Sequence, residues 1–178
     1  MKRLLLHTCC APCSTHAIEL LKDKYEVVLF FSNSNIFPRG EYEKRLDNAR
    51  KIASVHGLEL VEDDYDHESW LSAVKGLESE PEGGKRCLEC FRFNIRRARD
   101  CAWQRGFDLF TTTLTISPHK DSGSIIRIGH ELGGQRAIPQ FLPVDLKKND
   151  GFRRSTELSR KHGLYRQGYC GCEFSMRG

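Results

Sequence analysis

The sequence predicts an α/β protein: one domain over residues 1–178, built as a Rossmann-like parallel sheet of about five strands with helices on both faces. Three observations carry that expectation. Short apolar runs of strand length recur along the chain, helical patterns fill the gaps between them, and 178 residues suit one domain of about 150. The first strand is expected at Leu4–Leu6 and the first helix at Ser14–Lys22. Val27–Phe31, the longest apolar run, reads as the second strand, followed by a helix over Gly40–His56. A third strand is expected at Leu58–Val61 and a short helix at His67–Val74. The segment Gly76–Lys85, with Glu80-Pro81-Glu82-Gly83-Gly84, reads as a loop too short to divide two domains. Then come a helix at Cys87–Arg105, a strand at Leu109–Leu114, a helix at Ser122–Leu132, a strand at Ala137–Pro143 and a helix at Phe152–His162. Strands alternating with helices imply right-handed crossovers between parallel neighbours.

Composition narrows the class. With 39% hydrophobic and 29% charged residues, no stretch approaches the roughly 18 uninterrupted apolar residues of a membrane span. The opening Met1-Lys2-Arg3-Leu4-Leu5-Leu6-His7 is too short for a signal peptide and has no small-residue cleavage site. A cytoplasmic protein without membrane attachment is expected. In that reducing compartment eight cysteines do not read as a disulfide framework; metal binding or catalysis fits better.

Seven of the eight cysteines fall in three tight groups: Cys9, Cys10 and Cys13; Cys87 and Cys90; Cys170 and Cys172. Cysteines used as small hydrophobes would scatter through the apolar periods instead. Cys101 does so, beside the Ile95–Ala98–Ala102 stripe of a helix, and is expected to be packing. In open α/β sheets ligands sit beyond the carboxyl ends of strands, and the first group follows the first strand directly. That turn reads Cys-Cys-Ala-Pro-Cys-Ser, with no glycine to let amides close around a phosphate, so a nucleotide is not expected there. Cys-x-x-Cys on a first helical turn puts two sulfurs near the positive end of the dipole. Cys170-Gly171-Cys172 permits a tight turn with both sulfurs toward one centre. No group alone supplies four ligands, so the three are expected to converge.

Seven thiols exceed one tetrahedral zinc, and one cubane cluster uses about four, leaving roughly three for a second metal or for redox chemistry. An iron–sulfur enzyme is therefore the leading expectation. A zinc-stabilised RNA-binding module without redox catalysis and a thiol redox enzyme of thioredoxin type stand as alternatives. Asp66, His119 and Tyr169 are candidate proton donors, each with an ordinary reading beside it: helix cap, solvated loop residue and packing ring. Lys120, next to His119, could bind phosphate or deliver a proton.

Charge adds a partner. Residues 1–84 carry ten Lys and Arg against fifteen Asp and Glu, and residues 85–178 carry eighteen against nine, so the net +4 divides into −5 and +9. A basic half of this kind suits a phosphate-bearing partner.

Assembled, these features resemble the cobalamin-independent epoxyqueuosine reductase family (QueH). The resemblance rests on Leu-His-x-Cys-Cys-Ala-Pro-Cys-Ser at positions 6–14, Tyr-Asp-x-x-x-Trp at 65–70 and Arg-Cys-x-x-Cys-Phe from Arg86. Thr-Leu-Thr-Ile-Ser-Pro-His-Lys ending at Lys120 and Tyr-Cys-Gly-Cys-x-x-Ser at 169–175 complete it. The resemblance implies a sheet of the adenine-nucleotide α-hydrolase (HUP) type. It implies reduction of epoxyqueuosine to queuosine at the tRNA wobble position, the last step in making that modified base. A [4Fe–4S] cluster with a nearby mononuclear iron is implied, with Cys9, Cys10, Cys87, Cys90, Cys170 and Cys172 as metal ligands. Position 13 varies between Cys and Asp in the family, so Cys13 is a further ligand whose sulfur is replaceable by a carboxylate. Removing the epoxide oxygen consumes two electrons and two protons, so a low-potential donor, ferredoxin or flavodoxin, is expected as partner beside the tRNA. Arg92, Arg96 and Arg97 are expected to flank the pocket, and Arg153 and Arg154 to contact tRNA.

Overall fold

The computed structural model describes residues 1–134 and 138–176. Five parallel strands form one sheet: β1 (Arg3–His7), β2 (Glu26–Phe31), β3 (Leu60–Glu62), β4 (Leu109–Thr112) and β5 (Gln140–Phe141), in the order β3-β2-β1-β4-β5. Helices α1 (Ala11–Leu21), α2 (Arg39–His56), α3 (His67–Ala73), α4 (Lys85–Gln104), α5 (Ser122–Gly133) and α6 (Gly151–Lys161) connect or follow them.

Alternate side chains of the strands serve two cores. Leu5, Val28, Phe30 and Phe110 pack against Phe91, Ile95 and Ala98 of α4 and Ile125 and Ile128 of α5. Leu4, Leu6, Val27, Leu29 and Leu109 pack against Ala17, Ile18 and Leu21 of α1 and Ile52 and Ala53 of α2, and α6 lies on α1. Because both faces are covered, neither strand register needs polar residues, which is why β1 and β2 read as unbroken apolar runs. Each such Leu or Phe, taken fully out of water, contributes about 2 kcal/mol. On the far side of the sheet, α5 can lie close to β5 because Gly129 has no side chain. A β-carbon there would come within 2.4 Å of the Phe141 ring.

The structure departs from the sequence expectation at element ends. β4 stops at Thr112 instead of Leu114, because the Thr112 hydroxyl accepts the Leu114 amide (3.1 Å) and turns Thr113–Ile116 into a 3-10 helix. The fifth strand is only Gln140–Phe141: Pro139 has no amide to give the ladder, and the expected start, Ala137, lies outside the described residues. β3 is displaced toward the C-terminus, to Leu60–Glu62. Helix α1 begins earlier than Ser14. Pro12 fits a first helical turn, and the Cys10 side chain caps the helix, so Cys13 lies on the helix and not in the preceding turn.

Candidate metal centre

From β1 the chain builds outward through β2 and β3, then returns to lay β4 and β5 on the other side. The carboxyl ends of β1 and β4 therefore form the switch point of the sheet, where connections diverge and leave a crevice. His7, at the end of β1, is wholly buried there. Its Nε2–H donates to the Ser32 carbonyl (2.8 Å), and its Nδ1 accepts from the Thr112 hydroxyl (2.9 Å). Burial lowers its pKa and keeps the ring neutral, so one imidazole ties the ends of β1, β2 and β4 together.

Cys9, two residues on, is held across the crevice. Its amide donates to the Thr113 hydroxyl oxygen (3.1 Å), and that hydroxyl donates to the Cys9 sulfur (3.2 Å). The Cys13 amide donates to the Cys10 sulfur (3.4 Å) at the helix N-terminus. The sulfurs of Cys9, Cys10 and Cys13 all lie within 4.8 Å of one another, close enough to share a metal ion. Hydrogen bonds from Cys10 and Cys13 draw the Cys9 thiol well below its ordinary pKa. Burial pushes Cys10 up to about 12, and Cys13, donating to Cys10 and Cys9, is raised. A cation bound to the triad would take the place of its thiol protons.

Cys87 and Cys90 sit on the first two turns of α4, Cys87 accepting from the Gly83 amide (3.2 Å) and Cys90 from the Asn94 side-chain amide (3.7 Å). The third pair lies on a strand-free segment and is held by α2. The Arg45 guanidinium, 1% exposed, donates to the carbonyls of Cys170 (2.7 Å) and Tyr169 (3.0 Å), while the Phe37 amide donates to that of Gly171 (2.9 Å). Gly171 has φ +146°, and a β-carbon there would stand 3.1 Å from Arg45 Nη1. Cys172 is buried against Trp70 and Val74, in a cluster that Cys90 also joins. Burial raises the Cys87 and Cys90 thiols, and the nearby sulfurs of Cys170 and Cys172 act in the same direction.

One cleft of about 590 Å³ is lined by Cys9 and Cys13 of the first group, Cys90 of the second and Cys170 of the third. Cys10, Cys87 and Cys172 are not among its lining residues. Lys120 also lines the cleft; burial works against its ammonium, but the sulfurs of Cys170, Cys9, Cys13 and Cys10 outweigh it and raise its pKa. His119 and Tyr169 lie on the cleft wall, Tyr169 donating to the Phe37 carbonyl (2.5 Å). Asp66 does not line it. It caps α3, taking the Ser69 amide (3.0 Å) and hydroxyl (2.6 Å) on its two oxygens. The expected flanking arginines are elsewhere too. Arg92 pairs with Glu131 (2.9 Å) and Arg97 with Asp63 (2.5 Å), because their positions on α4 face α5 and the end of β3. Cys101 is half-buried against the core, as expected. Arg45 escaped the sequence reading, although an arginine on the Tyr42–Leu46–Ala49 face of α2 interrupts an otherwise apolar stripe.

The polar atoms around the sulfurs offer a test of fit to a metal–sulfur group. Among the described residues, the buried side-chain nitrogens and oxygens without a partner are Trp70 Nε1, Arg86 Nε, Asn94 Oδ1 and Gln167 Oε1. Each belongs to a residue at the cysteines. Trp70 packs with Cys90 and Cys172, Arg86 precedes Cys87, Asn94 donates to Cys90, and Gln167 lines the cleft. An orphaned buried polar atom costs about 1–3 kcal/mol. Of the four, Trp70 Nε1 and Arg86 Nε are N–H donors, which with the seven thiols and the Lys120 ammonium suit a sulfur-rich anionic group. The Asn94 and Gln167 oxygens are acceptors that would face a cation or water.

Residues 4–178 match the family model of epoxyqueuosine reductase QueH. Relatives of that same name include one from Streptococcus pyogenes, 39% identical over 98% of this chain and 70% of the relative. Another, from Haemophilus influenzae, is 37% identical over 98% of this chain and 72% of the relative. A third, from Thermotoga maritima, is 36% identical over 99% and 91%. Among solved structures, a subunit described as belonging to a tRNA methyltransferase of Methanocaldococcus jannaschii superimposes with a TM-score of 0.57. It is 16% identical and covers 86% of this chain and 76% of its own, a likeness of fold.

Proposed function

The chain belongs to the epoxyqueuosine reductase QueH family and is an oxidoreductase of tRNA queuosine biosynthesis; from that premise we propose how its own residues carry out the reaction. The reaction removes an epoxide oxygen as water and leaves an alkene, with two electrons and two protons consumed. The observation that carries the proposal is the opening of all three cysteine groups on one cleft. Cys87, Cys90, Cys170 and Cys172 are four thiols, the number a [4Fe–4S] cluster takes, and would hold it. Cys9, Cys10 and Cys13 would hold a single iron. When bound, these groups would supply one-electron transfer and a Lewis acid for the departing oxygen.

The chain's own groups do the rest. The Lys120 ammonium, half-buried among the sulfurs, holds a proton on Nζ where negative charge develops on the opened epoxide. Tyr169 keeps its phenol proton, since burial and Glu41 raise its pKa, and with His119 it is a second proton source on the wall. Asp66, with both oxygens committed to Ser69, is left to its helix. Electrons would come from a low-potential one-electron donor, a ferredoxin or flavodoxin. The basic half of the chain would contact tRNA phosphates while the modified base enters the cleft. No helix of the described residues is long and apolar enough to cross a membrane.

Metal analysis of anaerobically purified protein tests the two-centre reading. About five irons and four labile sulfides per chain are expected, with a brown visible band. Four irons in fully active protein would contradict the second centre, and colourless zinc-loaded protein would favour an RNA-binding module instead.

A further inference from the structure

Trp70 is wholly buried on α3, stacked between His67 (ring centroids 5.5 Å apart) and Phe174 (6.3 Å). A buried indole N–H normally finds an acceptor. This one meets none that satisfies a hydrogen bond within the protein, and its cluster places it against two sulfurs, Cys90 and Cys172. From a different helix, Asn94 directs its amide N–H to the same Cys90 sulfur at 3.7 Å, and Asn94 is itself 2% exposed. Two buried side chains from α3 and α4 therefore bring N–H groups to the thiol on the cleft wall: Asn94, which also donates to Asn35 Oδ1 (3.2 Å), and Trp70, whose N–H has no partner of its own.

Donors at a ligand sulfur stabilise the more negative, reduced state of a metal–sulfur group and raise its reduction potential. We propose that Trp70 and Asn94 are positioning residues that, through their N–H groups on the Cys90 sulfur, set the potential of the redox group this thiolate holds. The inference rests on the reading of Cys90 as a ligand of a redox-active cluster. It explains why a tryptophan occupies a fully buried site that phenylalanine would fill without an orphaned donor.

The test is a potentiometric titration of anaerobically loaded protein, followed by electron paramagnetic resonance, beside iron and sulfide content. Trp70→Phe and Asn94→Leu should each retain wild-type iron and sulfide while the midpoint potential moves negative. At a fixed solution potential the reduced fraction should fall several-fold. Should Trp70→Phe fail to fold, Trp70 is replaced by benzothienylalanine in a Trp103→Phe background, which exchanges only the N–H for sulfur and must give the same negative shift. A fully loaded benzothienylalanine protein with an unmoved potential overturns the inference. Wild-type protein that takes up no iron and sulfide instead overturns the cluster reading itself.

Discussion

Arg45 on α2 donates from Nη1 to the carbonyl oxygen of Cys170 at 2.7 Å, across 125 positions of sequence. Its Nε is paired with Glu41 (2.8 Å), which also takes the Tyr165 hydroxyl (3.0 Å), so a single buried guanidinium joins helix, carboxylate and the last cysteine loop. Arg45→Met leaves Glu41 without its cation and two carbonyls without donors. The metal-free variant should lose about 3–5 kcal/mol in denaturant unfolding. Loaded protein should release iron faster than wild type. Arg45→Lys keeps the charge but not the fork, and should recover part of the stability and little of the metal retention. Unchanged iron release in both variants would show that the loop holds itself.

Cys13 lies on the first turn of α1 with its sulfur within 4.8 Å of those of Cys9 and Cys10. A carboxylate can serve iron at such a position. Cys13→Asp should keep wild-type iron, whereas Cys13→Ala should lose about one iron per chain with labile sulfide unchanged. Retention of all iron in the alanine variant would remove Cys13 from the ligand set.

Asp63 shows how the rim near β3 depends on pH. Burial acts to raise its pKa, but hydrogen bonds from Arg97 (2.9 Å to one oxygen) and Ser32 (2.6 Å to the other) overcome it and leave the carboxyl below its ordinary 3.8. In acid the unfolded chain therefore binds this proton first. The stabilisation is complete above about pH 4 and is lost as pH falls through the native value. Asp63→Asn should cost about 1–2 kcal/mol at neutral pH and flatten the acid limb of the stability curve. An unchanged acid limb would mean that other carboxylates govern it.

Arg166 lines the cleft, is exposed, and takes part in no ion pair among the described residues. Arg154 is paired with Glu19 (3.2 Å) and Glu157 (3.7 Å), and Arg153 with Asp150 (3.1 Å). Free cations release more counterions on binding a polyanion. Arg166→Glu should weaken tRNA binding and lower the slope of log affinity against log salt by about one. Arg154→Glu should do less. The reverse ranking, from binding isotherms at several salt concentrations, would move the tRNA path to the α6 surface.

Much of this was legible in the chain. The alternation of apolar runs with helical patterns located all five strands, because a sheet covered on both faces leaves continuous hydrophobic segments. Cys9 fell at the rim because it follows β1 directly. The element ends were less legible, since side-chain caps such as Thr112 and Cys10 decide them locally. Convergence of Cys90 with Cys170 depends on Arg45 and on contacts between distant segments, which periodicity does not encode. The basic half misled in detail: net charge counted Arg92 and Arg97 as available, whereas Glu131 and Asp63 neutralise them in the fold.

Reduction of the epoxide of a modified base in tRNA is proposed for the cleft lined by Cys9, Cys13, Cys90 and Cys170. The direct measurement is conversion of epoxyqueuosine to queuosine in tRNA by iron-loaded protein, under strict anaerobiosis with a chemical reductant, read by mass spectrometry of nucleosides. Stoichiometric or catalytic loss of one oxygen atom is expected, abolished by Cys90→Ala and Cys170→Ala. Protein with full iron and sulfide content that leaves the epoxide intact would contradict it.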